Sequence, residues 1–124
     1  MYTQENVRKL FMQRGEIEME LKVRQARYYG REEEMPREEA ARILELKQEL
    51  LTIDGLFAAL SENEAFVIRH HVMEELDWPQ TMVLFAQKWG ADVEKSIRSM
   101  KALQEKGSRK VARILNKRSK HDRL

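Results

Sequence analysis

Few side chains in this sequence are placed to do chemistry, and most of those are basic. Lys95, Arg98, Ser99, Lys101, Ala102, Lys106, Arg109, Lys110 and Arg113 fall within one stretch of nineteen residues. At about 100° per residue, a helix starting from Val93 would carry Ile97, Met100 and Gln104 within about 40° of it, which makes that side the expected buried face. Lys95, Arg98, Ala102, Lys106 and Arg109 then lie on the opposite side. A stripe of cations with a small residue at its centre suits double-stranded DNA, because cations neutralise phosphates and alanine lets a helix backbone approach base edges in a major groove about 12 Å wide. In this pattern Arg98 is the candidate for forking onto a guanine, and Lys106, Arg109, Lys110 and Arg113 are the candidates for phosphates.

Other chemistry finds little support. His70 and His71 are adjacent, so on a helix they point about 100° apart and cannot chelate one ion. The acidic run Glu32 to Glu34 sits beside Pro36 and reads as a solvated linker. With no cysteine there is no disulfide, thiolate site or thiol nucleophile, which fits a reducing compartment. Phosphate loops, zinc-protease pairs and a supported Ser/His/Asp grouping are lacking as well, so the expectation is a non-enzyme without cofactor or metal.

Charge strengthens the nucleic-acid reading. The net value is only +2, but residues 1–60 hold 10 Lys/Arg against 12 Asp/Glu and residues 61–90 hold 2 against 5. Residues 91–124 hold 11 against 4. Such a basic pole draws a polyanion, either nucleic acid or an acidic protein surface.

The elements that must position this pole read as helices throughout. Glycine, proline and β-branched residues are sparse, while Leu, Glu, Lys, Arg, Ala, Gln and Met dominate. The N-terminus becomes charged before an apolar run develops, and nowhere do about 18 apolar residues follow one another, so a cytoplasmic chain without membrane contact is expected. Residues 1–36 read as a helical arm and linker. In that arm Val7, Leu10, Ile17, Leu21 and Tyr28 form an apolar stripe that also takes in Arg14 and Arg24. The stripe must fold back on the domain or pair with another chain, and a homodimer is the favoured expectation.

Gly30 and Pro36 punctuate the chain before a second helix from Arg37 to about Leu60. Its apolar set Ala40, Ile43, Leu44, Leu50, Leu51, Phe57 and Ala58 is broad enough to pack on both neighbours. Asp54-Gly55 offers a kink. Ser61 with Glu64, and Asp77 with Gln80 beside Pro79, are two capping boxes that each open a helix. Phe66, Val67 and Val72 point inward from the first, and Met82, Phe85, Ala86 and Trp89 from the second, with Trp78 and Trp89 as core anchors. Gly90 ends the second and Asp92 caps the basic helix. The helical domain thus spans 37–115, with a helix-turn-helix at 78–105 and a basic tail at 116–124.

From "LLTIDGLFAALSENEAFVIRHHVMEELDWPQTMVLFAQKWG" onward the chain resembles region 4 of bacterial sigma factors, and more closely the small sigma-like phage and prophage transcription regulators of the ArpU and RinA type. Leu60, Ser61, Glu64, Val67, Ile68, His71, Leu76, Trp78 and Gly90 carry the resemblance, over roughly residues 45 to 115. It implies a helix-turn-helix that binds promoter DNA and that can touch RNA polymerase or another phage regulator. Gly90-Ala91-Asp92 replaces the family's usual turn, so a longer turn is expected here. A second reading stays open: a sigma-like module that docks on a regulator or on polymerase, its basic pole meeting acidic side chains instead of DNA.

Overall fold

The computed structural model describes residues 1–90 and 96–122. The described residues are all-helical, without a strand: α1 is Gln4–Arg27, α2 Arg37–Ala58, α3 Glu62–Val67, α4 Trp78–Trp89 and α5 Ile97–Asp122. A single 3₁₀ turn, Glu32–Glu34, lies between α1 and α2. Helix α3 runs on as a π-helical turn through Ile68–Met73. No described helix is long and apolar enough to cross a membrane.

Local sequence explains most of the boundaries. Thr3 caps α1 through a box closed by Asn6. The Ser61/Glu64 and Asp77/Gln80 boxes both form, each with the side chain of the cap accepting from the third N–H and the third side chain accepting from the cap's own N–H. Pro36 precedes the first residue of α2. Gly90 ends α4 at φ 92°, ψ 156°, a region that only glycine populates readily. Asp54-Gly55 introduces no break, and α2 is continuous through both.

Helices α1 and α2 form a hairpin. Leu21, Ile43 and Leu46 make its core, with Ile17, Met35 and Leu50 packed beside them. Ion pairs lace its edges: Arg14 to Asp54 at 2.8 Å, Arg24 to Glu39 at 2.8 Å and Arg42 to Glu20 at 3.0 Å. The two arginines on the apolar stripe are thus neutralised within the chain, by these partners and by Glu18 and Glu20 on α1 itself.

The main core joins the start of α1 to the end of the chain. Val7 and Phe11 pack with Ile53, Leu56, Ile68, Val72, Val111, Ala112 and Leu115. This corrects the expectation of a self-associating arm. Val7 and Leu21 are buried and Leu10, Ile17 and Tyr28 are half-buried, and all but Tyr28 belong to these two clusters of the same chain. The physical reason is that α2 and α5 offer apolar faces at covalently fixed proximity, so the stripe is covered without a second chain. Residue 36 therefore does not divide the core.

Helix α2 packs on both of its neighbours, through Ile43 and Leu46 on α1 and through Ile53 and Leu56 on the π-turn after α3. The buried face is narrower than expected, and Ala40, Leu44, Leu51 and Ala58 face outward.

Candidate nucleic-acid interface

A third cluster holds the region where the sequence places its helix-turn-helix. Val67, Phe85 and Met100 are buried together, with Phe66, Trp78, Met82, Trp89 and Leu103 against them. Phe66 meets Phe85 and Trp89 edge-on, at centroid distances of 5.5 Å and 4.9 Å. The first turns of α5 are thereby braced by α3 and α4.

Helix α4 ends at Trp89 and α5 is described from Ile97. Asp92, Val93 and Lys95 lie outside the described residues. Helix α5 begins at Ile97, after Ser96, whose Oγ accepts the Ser99 N–H at 3.1 Å. Of the expected buried face, Met100 is fully buried and Gln104 half-buried, but Ile97 is 37% exposed. Ile97 is the first residue of the helix and precedes the turn that Phe85 and Val67 contact.

Further along, the inner face of α5 is fixed by two features. Gly107 passes so close to α3 that a Cβ there would stand 2.9 Å from Ile68 Cδ1 and 3.2 Å from Leu60 Cδ2. Lys110 Nζ donates to Glu64 Oε1 at 2.8 Å, and the Glu64 side chain is only 2% exposed. Burial opposes the charge on Glu64, but the bonds from Lys110 and from Ser61 hold its carboxyl below the ordinary range. Lys110 is therefore corrected from a phosphate contact to an internal partner. Its position beside Arg109 looked equivalent in sequence, yet the helical turn places it over a buried carboxylate.

With that face pinned, the opposite one is exposed: Arg98, Ser99, Lys101, Ala102, Lys106, Arg109 and Arg113 all lie in solvent, followed by Lys117 and Arg118. Glu105 is the one described acid on this face, and it pairs with Arg109 at 3.2 Å. Both side chains are well exposed, so this pair is weak and easily exchanged. Helix α5 extends to Asp122, so the tail expected from residue 116 continues the helix, and Lys117 follows Arg113 by one turn.

The start of α1 completes the surface. The Tyr2 N–H donates to Asn116 Oδ1 at 2.7 Å and Asn116 Nδ2 donates to the Tyr2 carbonyl at 3.2 Å. A cleft of about 610 Å³ lies there, lined by Tyr2, Gln4, Arg109, Arg113 and Lys117 among others. Three cations thus face the positive end of the α1 dipole across one cleft, an electrostatic setting for an anion. Sequence reasoning missed this meeting because it joins residues more than a hundred positions apart.

The histidines diverge. His70 Nδ1 contacts Glu74, and its ring lies edge-on to Phe66. His71 Nδ1 donates to the Leu76 carbonyl at 2.8 Å, and its ring stacks on Trp78 at 3.5 Å. Burial pushes the His71 pKa down, with Arg8 and Lys101 adding to it. No group of three His, Asp or Glu side chains among the described residues is placed to hold a metal.

Among the described residues, fold and surface define an all-helical arrangement with an exposed cationic face on α5. No family model, curated protein or solved structure matches the chain.

Proposed function

We propose that the chain is a duplex-DNA-binding transcription regulator of the sigma-like phage type, with the outer face of α5 as its contact surface. The observation that supports this reading is the segregation on α5: Met100, Val111, Ala112 and Leu115 face the core, while Arg98, Lys101, Lys106, Arg109 and Arg113 face solvent with Ala102 among them. A helix held rigidly on one side and cationic on the other can follow a groove or a phosphate row. Arg98, near the helix start, is the base-reading residue of this proposal. Arg109, Arg113 and Lys117 hold phosphate beside the start of α1.

The test is fluorescence anisotropy against duplexes selected from a random pool, across a salt series. Arg98→Ala should relax selectivity at one base pair by about 1 to 3 kcal/mol. Arg109→Ala with Arg113→Ala should weaken all duplexes alike and lower the salt slope by about two units. A wild-type protein that retains no duplex at about 50 mM salt refutes the reading. In that case the same cations serve an acidic protein surface on polymerase or on another regulator.

A further inference from the structure

Helix α2 carries a surface that neither the core nor the basic pole uses. On the side turned away from α1, Leu44 and Leu51 stand 57% and 72% exposed. They belong to an exposed series, Ala41, Leu44, Gln48, Leu51, Gly55 and Ala58, whose spacing is alternately three and four residues. That is the repeat of a coiled-coil seam, with leucine at one class of position and small or amide residues at the other. No member of the series is charged, although the solvent face of a surface helix normally is.

We propose that this seam is the contact between two copies of the chain, with the two α2 helices crossing antiparallel. Gly55 is the first reason. It lies inside a continuous helix, where glycine is the least favourable residue after proline. A Cβ at Gly55 would meet nothing within 4 Å, so the single chain does not require it. In an antiparallel pair it is the site that receives the partner's Leu44, while Gln48 meets the partner's Leu51 and Ala41 the partner's Ala58. Each large residue then faces a smaller one or the amide.

Charge selects the same register. The seam is flanked by Lys47 and Asp54 on one side and by Glu45 and Thr52 on the other. Antiparallel pairing in this register sets Lys47 beside the partner's Asp54 twice over. Asp54 is already bonded to Arg14 but keeps half its surface open. A heptad slip in either direction would instead oppose Lys47 to the partner's Lys47, or Asp54 to the partner's Asp54. Parallel pairing would leave both charges without a match. The comparable stripe on α1, with Met12, Met19 and Val23 exposed, is interrupted by Glu16 and has no such match.

The seam is short, about 25 Å at 1.5 Å per residue, so it supports a weak dimer. Sedimentation equilibrium of the full chain from about 10 to about 500 µM should show the mass rising toward twice the monomer. Leu51→Glu should weaken association at least tenfold with unchanged helicity, and Leu44→Lys serves the same purpose if Leu51→Glu loses helix. Met19→Glu, on the opposite side of the hairpin, should change it less than twofold. Because the chain has no cysteine, orientation can be read directly: a mixture of Gln48→Cys and Leu51→Cys proteins should form the mixed disulfide in preference to either symmetric one. A wild type that stays monomeric at the highest concentration overturns the proposal, as does a dimer indifferent to both leucine substitutions. Preferred symmetric cross-linking of Gln48→Cys overturns the orientation. A monomer that still binds duplex leaves the DNA reading standing, so the two proposals fail separately.

Discussion

Helices α2 and α5 have inner faces of the same kind and outer faces of opposite kinds. Ile43, Leu46, Ile53 and Leu56 hold one, and Met100, Val111, Ala112 and Leu115 hold the other. Outward, α2 presents Leu44 and Leu51 among small uncharged residues, whereas α5 presents a row of arginines and lysines. Each helix also contains one glycine, and the two lie on opposite faces. Gly107 of α5 is pressed against Ile68, Leu60 and Glu64, and Gly55 of α2 faces open space. The inner face decides where a helix sits, and the outer face decides what it can meet. A residue type means little until the face is known.

The heaviest break in this comparison should come from Glu64, the carboxylate that ties α5 to α3. Glu64→Ala removes both the reciprocal cap at Ser61 and the buried partner of Lys110. It should cost about 2 to 4 kcal/mol, the Lys110 share being reduced because that side chain still reaches water. Urea denaturation followed by circular dichroism measures it, and a cost below about 0.5 kcal/mol would show that the pair is dispensable.

The glycines sharpen the contrast. Gly107→Leu should destabilise by about 1 to 3 kcal/mol, since its side chain must enter space held by Ile68 and Leu60. Gly55→Ala should stabilise the single chain by about 0.5 to 1 kcal/mol, through helix propensity and a less flexible unfolded state. Both are read from thermal melts in dilute solution, where association is negligible. Similar signs for the two substitutions would remove the distinction between the faces.

The smallest expected effect is that of pH, and it has two stages. The His71 pKa is lowered in the fold, chiefly by burial, so the folded chain binds that proton less readily than the unfolded one. Its contribution is present above the unfolded value of about 6.5 and is lost as pH falls below it. The Glu64 pKa is also lowered, so its contribution is present above the ordinary carboxylate range and is lost as pH falls through its folded value. Stability should therefore decline on acidification from pH 7, first through His71 and later through Glu64. His71→Phe should remove the first stage only, and a melting temperature that stays flat in wild type between pH 7 and 5.5 would contradict this account.

Much of the helical order was legible because it rests on local chemistry. Ser61 with Glu64, and Asp77 with Gln80, satisfy orphan N–H groups within four residues, so the chain announces those starts. Val7, Leu10, Ile17 and Leu21 were legible as needing cover, but periodicity cannot say which surface provides it. The π-turn at Ile68–Met73 leaves no signature in residue types. On the basic stripe, the exposure of Arg98, Ala102, Lys106 and Arg109 followed from their angle to Met100. The capture of Lys110 did not, because Glu64 is 46 residues away in sequence.

The packing of Val7 and Phe11 against Val111 and Leu115 bears on how the chain is made. Synthesis proceeds from the N-terminus, so the α1–α2 hairpin, with its own cluster around Leu21 and Leu46, can form early. The main core closes only when the last helix has left the ribosome. Until then the inward residues of α1, α2 and the π-turn have no lid, and a chaperone or a neighbouring nascent chain could occupy that place. A ribosome stalled just short of Val111 should therefore display a protease-sensitive chain, and one stalled on an appended flexible linker long enough to carry Leu115 out of the exit tunnel a resistant one.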